Sequence, residues 1–287
     1  MSTKDPQPTK FVLEHAPWSA SKASTAAECP KKFWFSYVLK KKRGRTNADA
    51  MVGQVVHKAV EYVLNGYPPA KAFDAVLASN ELTTEEINRV QFFQPAVQNF
   101  IEKFDKYCVR HRANKPLIEL RLAVDLDGNP VKFFDNKRGF LRGVLDLSCL
   151  FKGTSHGLVI DHKTGKEHNL KYFKHQFDSY VWLLKASHPD LTKIQVGINF
   201  LKIDVVRFGQ MYDVTSADPI RDRMINYLNQ ATHDTADFER TGVSKLCNWC
   251  DHKGYCPAHT TESGNGKENL QKERDNSRTT LENMDSN

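Results

Sequence analysis

Asp161-His162-Lys163 lies in the segment LVIDHKTG, and fifteen residues upstream Asp146 lies in RGVLDLSCLF. Two carboxylates and a lysine on neighbouring strands are the parts needed to hold a hard divalent cation against a phosphodiester. The carboxylates offer oxygen ligands, and the ammonium offers a point charge for a phosphate or an attacking water. A D-x-K triplet alone is common; its placement gives this one weight. Residues 139–163 read as a β-hairpin, two apolar-rich runs separated by the turn-forming stretch Lys152-Gly153-Thr154-Ser155-His156-Gly157. With Phe151 paired to Leu158, Asp146 falls opposite Lys163 and Ser148 opposite Asp161. Period-two alternation then puts Asp146, Asp161 and Lys163 on one face, and a one-residue slip would turn Asp146 away.

Other residues could complete such a site. His57 sits four residues after Gly53 and four before Glu61, on one side of a predicted helix. An imidazole there could join a metal site. Gln176 and Tyr180 form a second i,i+4 pair, able to hydrogen-bond a phosphate or steady the lysine. Glu119, on an alternating strand, could lie near the metal face, although a solvated strand carboxylate is the simpler reading. Near the C-terminal end, Cys247, Cys250 and Cys256, the last followed by Pro257, have the spacing of metal ligands. His259 would complete a four-ligand zinc site with them, and Cys29 would instead give four cysteines, which suits an iron–sulfur cluster. Cys108 and Cys149 read as buried thiols.

The elements that must position these residues are legible from periodicity. Ser19–Tyr37 reads as helical. Gly53–Leu64 is an amphipathic helix with Val56, Ala59, Val60 and Val63 as its apolar stripe, ended by Pro68-Pro69. Helical patterns run from Ala70 to Arg112, broken at Thr83-Thr84. Leu117–Leu126 alternates as a half-buried strand and ends in the turn Asp127-Gly128-Asn129-Pro130. After the hairpin come a helix over Leu170–Ala186, strands at Ile194–Ile203 and Val205–Val214, and a helix over Asp218–Ala231. This order predicts an α/β fold, a mixed sheet flanked by helices.

Composition narrows the function classes. The net charge is +7, while the stretch from Thr260 onward is slightly acidic and nearly free of aliphatic residues. Residues 260–287 are therefore expected to be a disordered tail and residues 1–18 a flexible N-terminus. The basic excess clusters early: Lys40, Lys41, Lys42, Arg43 and Arg45 follow the aromatics Phe33, Trp34, Phe35 and Tyr37. Cations neutralise phosphates and rings stack bases, so these five basic residues are candidate DNA contacts. No run of about 18 apolar residues is present, and the first residues lack a secretory signal. A cytoplasmic location is expected, where six cysteines point to metal or redox chemistry. Lys267 in GNGKE is followed by Glu268, so there is no P-loop and no motor of that type.

Taken together, WSASKASTAAECPKKFWFSY, GQVVHKAVE, RGVLDL, VIDHKTGK, QFDSY and CNWCDHKGYCP occur in the order of the PD-(D/E)xK nuclease superfamily. The chain resembles its RecB/AddB-type branch with an iron–sulfur cluster, which includes small CRISPR-associated exonucleases. The resemblance implies a restriction-endonuclease-like domain over residues 19–259. His57, Asp146, Asp161 and the backbone carbonyl of His162 would hold Mg²⁺ or Mn²⁺, with Lys163 as the catalytic lysine. Gln176 and Tyr180 would match the branch's Q-x-x-x-Y element. Cys29, Cys247, Cys250 and Cys256 would hold a 4Fe–4S cluster joining the N- and C-terminal segments. The implied activity is a deoxyribonuclease, an exonuclease on single-stranded DNA with 5′→3′ polarity, serving recombination, repair or phage DNA metabolism in a prokaryotic or phage-infected cell. The rival readings are a subunit active only within a helicase or CRISPR-adaptation assembly, and a non-catalytic iron–sulfur DNA-binding module.

Overall fold

The computed structural model describes residues 6–41, 47–233 and 245–256. Its helices are α1 (Lys10–Glu14), α2 (Ala20–Glu28), α3 (Pro30–Phe33), α4 (Ala48–Leu64), α5 (Pro69–Ala78), α6 (Thr84–Gln91) and α7 (Gln94–Arg110). Strands β1 (Leu117–Val124), β2 (Leu141–Leu150) and β3 (His156–Lys163) follow, then α8 (Lys174–Ser187), β4 (Lys193–Phe200), β5 (Val205–Asp213) and α9 (Asp218–Thr232). The chain divides into two compact units. One comprises the residues up to Ser24 and Ala48–Thr232; the other comprises Thr25–Asn47 and the chain from His233 onward.

The five strands form one sheet in sequence order. Neighbours are antiparallel except β3 and β4, which run parallel with Lys163 level with Phe200. Parallel neighbours need a crossover, and α8 supplies it. This mixed sheet flanked by helices matches the expected fold class and is consistent with a restriction-endonuclease-like architecture.

The hairpin forms with a register different from the expected one. Leu147 pairs with Ile160 and Ser148 with Val159, so continuing the ladder brings Asp146 level with Asp161 rather than with Lys163. The cause is a tighter turn: the Phe151 amide donates to the His156 carbonyl, leaving only residues 152–155 in the loop, with Gly153 at φ +73°. The displacement is an even number of residues, so the face assignment survives. In β1 the alternation is interrupted. Glu119 has φ +50°, and the ladder pairs Ile118 with Leu147 and Leu120 with Leu145 on either side of it. That conformation costs a non-glycine residue about 1–2 kcal/mol.

α4 carries the apolar stripe expected of it, with Val52, Val55, Val56, Ala59, Val60 and Val63 all buried. It starts five residues earlier than predicted, at Ala48, and Asp49 in its first turn faces the positive end of the helix dipole. Pro69 begins α5 rather than ending α4, a position where its missing N–H costs nothing. The single helix expected over Ser19–Tyr37 is broken. Cys29 is extended, Pro30 opens α3, and Trp34–Val38 forms a π-helical turn; proline disfavours the helical conformation at the residue before it.

Within the stretch 1–18 expected to be a flexible N-terminus, the structure describes residues 6–18, which include α1. Thr9 caps α1 by accepting the Val12 amide, Trp18 is fully buried, and its indole donates to the Val12 carbonyl at 2.8 Å. A buried tryptophan of that size outweighs the chain entropy of the short segment. The expected tail at 260–287 lies outside the described residues.

α6 is fixed at its start by a capping box. The Glu86 carboxylate accepts from the Thr83 amide and hydroxyl, both at 2.8 Å, and the Thr83 oxygen accepts the Glu86 amide. Thr83→Ala is expected to lower the unfolding free energy by about 1 kcal/mol. In urea denaturation this should appear as a lower midpoint at unchanged m-value.

Candidate active site

β3 divides its side chains between two environments. Leu158 and Ile160 join Leu147, Cys149, Phe100 and Phe104 in an apolar cluster. Asp161 points the other way, toward α8. Its carboxylate is almost entirely buried, 3% exposed. Oδ1 accepts from the Gln176 amide and the Tyr180 hydroxyl, both at 2.8 Å, and the same amide donates to the Tyr180 oxygen at 2.7 Å. Gln176 and Tyr180 stand one turn apart on α8, so the helix clamps one oxygen of Asp161 with two donors. Oδ2 accepts no hydrogen bond. The Lys163 ammonium lies 2.7 Å from it as an ion pair, and 5.8 Å from the centre of the Phe173 ring.

Asp146 approaches from β2. Its Oδ2 accepts the His162 amide at 2.8 Å and lies 3.4 Å from His57 Nδ1. The His57 ring also hydrogen-bonds the His162 backbone, so the helix α4 histidine, the β2 carboxylate and the main chain of β3 meet at one point. The His162 side chain turns away, with its Nδ1 3.1 Å from the Asn199 amide and its ring 5.0 Å from Phe100.

Burial sets the ionisation. It pushes Asp146 well above the usual carboxylate range, and the neighbouring Asp161 charge pushes the same way, while the His162 amide opposes them. Burial lowers the pKa of His57, with Asp161 acting against it, so the imidazole is held neutral and fit for ligation. Burial, then His57 and Lys163, lower His162 to about 3. Tyr180 is raised well above its usual value, chiefly by burial and then by Asp161, and remains a hydroxyl donor.

These donors fit a hard divalent cation. Two carboxylates, a backbone carbonyl and a neutral imidazole are the expected ligand types, and Asp161 Oδ2 is a buried oxygen outside the Gln176/Tyr180 clamp, ion-paired with Lys163. The side chains stand as two pairs, His57–Asp146 and Asp161–Lys163. Among the described residues, no three of His, Cys, Asp or Glu close into a metal-holding group.

The structure therefore brings together His57, Asp146, Asp161, the His162 main chain, Lys163, Gln176 and Tyr180. Glu119 belongs to the same neighbourhood: burial and then Glu61 raise its pKa, and its charge raises that of Asp146. Two supporting residues have no signature in spacing. Asn199 fixes the His162 ring from β4, and Phe173 underlies Lys163.

The cysteine-rich segment belongs to the second unit. Cys29, Cys247, Cys250 and Cys256 all fall within it and form no disulfide. Cys29 caps α3, its sulfur accepting the Lys32 amide at 3.4 Å. The Cys250 amide donates to the Cys247 carbonyl at 3.2 Å, and buried His252 pairs with the Ser36 hydroxyl at 2.8 Å. These four sulfurs, all among the described residues, do not close into a metal-holding group. Of the candidate DNA contacts, Lys40 has φ +50° and the Lys41 ammonium lies 5.3 Å from the Phe35 ring. Lys42, Arg43, Arg45 and His259 lie outside the described residues.

A mixed sheet thus presents two carboxylates and a lysine beside a helical Gln/Tyr pair. A family profile for the PD-(D/E)XK nuclease superfamily matches residues 17–257, and the chain belongs to that superfamily. Membership makes it a nuclease acting on phosphodiester bonds, with DNA as its ligand, in a superfamily that typically uses Mg²⁺ or Mn²⁺. No curated protein matches the sequence. Among solved structures, the crystal structure of SSO0001 aligns over 87% of this chain and 96% of its own, at 14% identity and a TM-score of 0.39. Among the described residues, no helix is long and apolar enough to cross a membrane.

The raised pKa of Asp146 gives a test with a definite sign. A carboxyl group whose folded pKa lies above its unfolded one favours the fold below the unfolded value, and that contribution is lost as pH rises through the folded value. Without divalent cation, Asp146→Asn is therefore expected to be more stable than the wild type at neutral pH, with the difference fading below the ordinary carboxylate range near pH 4. Mg²⁺ or Mn²⁺ should raise the melting temperature of the wild type and leave the variant unmoved. Thermal melts across pH, with and without metal, check both.

Proposed function

We propose that this protein is a metal-dependent exonuclease on single-stranded DNA, with 5′→3′ polarity, working in DNA recombination, repair or phage DNA metabolism. The observation that carries the catalytic reading is the Asp161 carboxylate. One oxygen is clamped by Gln176 and Tyr180, and the other carries no hydrogen bond and faces Lys163, with Asp146 and His57 alongside. The strand preference and polarity rest on the resemblance to the RecB/AddB-type branch.

In this reading His57, Asp146, Asp161 and the His162 carbonyl hold the cation. The chemistry a bound Mg²⁺ or Mn²⁺ would supply there is polarisation of the scissile phosphate and acidification of a water. The chain's own residues do the rest. Gln176 and Tyr180 hold Asp161 in one rotamer, so its other oxygen has a fixed direction. Lys163 orients the attacking water and stabilises the charge that develops on the phosphate. Neutral His57 offers its ring nitrogen without first losing a proton. Cleavage of end-labelled single-stranded DNA, with metal against EDTA, tests the reading. Lys163→Ala should lower the rate by at least about a hundredfold. Undigested DNA with folded, metal-loaded wild type would refute an enzyme active on its own, and co-purification with a helicase would then point to a subunit of a larger assembly.

The second unit is proposed to hold a 4Fe–4S cluster through Cys29, Cys247, Cys250 and Cys256. The presence of all four cysteines within one compact unit supports this, as does the placement of the Cys29 sulfur at the start of α3. Protein purified without oxygen should be brown and contain about four irons per chain in this proposal, and Cys250→Ala should be colourless and poorly soluble. Zinc in place of iron would exclude the cluster, and a soluble, fully active Cys250→Ala would exclude its structural role.

A further inference from the structure

A cavity of about 550 Å³ opens where the chain leaves Lys163. Its wall begins at Thr164, the residue after Lys163, and includes Lys166, Lys202, Arg89, Asp49 and Phe92. The volume lies within the range of small-ligand clefts, roughly 300–1,000 Å³. Its position is the one where open α/β sheets bind ligands, outside the carboxyl ends of parallel strands: β3 ends at Lys163 and β4 at Phe200, level with each other.

The lining has two distinct parts. Phe92 is 62% exposed, although its neighbour Phe93 is almost wholly buried and stands nearly perpendicular to it, with ring centres 5.3 Å apart. A large ring anchored by a buried neighbour and mostly exposed can serve as a stacking platform. The charged residues form the other part. Arg89 is tied to Asp49, which links α6 to α4 across the cavity. Lys166 and Lys202 are exposed and make no ion pair or hydrogen bond among the described residues, and the remaining acid of the lining is Glu85. The cavity thus offers one largely exposed aromatic ring and two unneutralised ammonium groups close to the end of β3. α4 closes the side nearest the site tightly: a Cβ on Gly53 would stand 3.3 Å from the Thr164 hydroxyl.

We infer that this cavity holds the nucleotide adjoining the scissile phosphate of a single-stranded substrate, with its base stacked on Phe92 and its phosphate between Lys166 and Lys202. The assignment rests on the nuclease reading above for the identity of the strand. A base in a duplex is already stacked on both faces, whereas an unpaired one can lie against Phe92, so the cavity selects single strands. Stacking is tolerant of base identity, and no base-reading specificity is required.

The test uses a fluorescent oligonucleotide, with binding measured in EDTA and cleavage measured separately with Mn²⁺. Phe92→Ala is expected to weaken binding and raise KM about tenfold, with kcat within about twofold, and Phe92→Trp to restore both. An abasic site scanned along the oligonucleotide should weaken wild-type binding at one position beside the cleaved bond and add nothing further to Phe92→Ala. A double Lys166→Ala, Lys202→Ala variant should make the slope of log Kd against log salt shallower by about 0.7 for each phosphate no longer neutralised. Unchanged binding in Phe92→Ala, or an abasic penalty equal in both proteins, would overturn the assignment while leaving the nuclease intact. The same binding pattern in a protein that never cleaves would keep the cavity and remove the nuclease reading. Absence of any binding to single strands by the wild type would remove both.

Discussion

Asp161 is the constraint around which the rest is arranged. A carboxylate 3% exposed to solvent survives only if its charge is answered. Here the answer comes from three directions: an amide and a phenol from α8, and an ammonium two residues further along the same strand. That demand fixes the packing angle of α8 against the sheet, because Gln176 and Tyr180 must reach the same oxygen. It also explains why the crossover between β3 and β4 is a helix whose middle residues, Phe177 through Leu184, are all buried. The polar clamp and the apolar contact lie on one element, so geometry at the site is held by the same packing that holds the sheet.

Asp146 is placed beside this carboxylate at an energetic cost. The Asp161 charge opposes ionisation of Asp146, burial keeps the imidazole beside them neutral, and the fold supplies one backbone amide to ease the strain. A divalent cation is the natural complement of such a group, since it answers several anionic oxygens at once. The left-handed backbone of Glu119 lies in the neighbouring strand at the step between the pairs flanking Asp146. Strained conformations collect at functional sites because the surrounding structure over-determines them.

Much of this was legible in the sequence, for reasons that can be named. Period-two alternation placed Asp146, Asp161 and Lys163 on one face even with the wrong register, because parity depends on odd or even offset and not on the particular pair. The i,i+4 spacing of Gln176 and Tyr180 and the apolar stripe of α4 are local properties, and local properties are written in spacing. What was not legible depends on distant contacts or on single backbone angles. The tighter turn at residues 152–155, the left-handed Glu119 and the break at Cys29 each turn on a few dihedrals. The packing of α1 depends on Trp18 finding a buried place beside β2, a distant contact that local spacing does not announce. The cavity beside Lys163 is assembled from four separate stretches of chain, and no motif joins Phe92 to Lys202.

The division into two units sets an order of events during synthesis. The second unit draws on Thr25–Asn47 and on the chain from His233 onward, with all of Ala48–Thr232 translated in between. A ribosome adding roughly 5–20 residues per second leaves the early segment without its partner for some ten seconds or more. During that interval Phe33 and Phe35, buried in the finished protein, have little of their own unit to pack against. The sheet unit meets no such delay, since its contacts lie mostly within Ala48–Thr232. Nascent chains halted before His233 should therefore carry a folded sheet together with a sticky, chaperone-binding segment near their beginning.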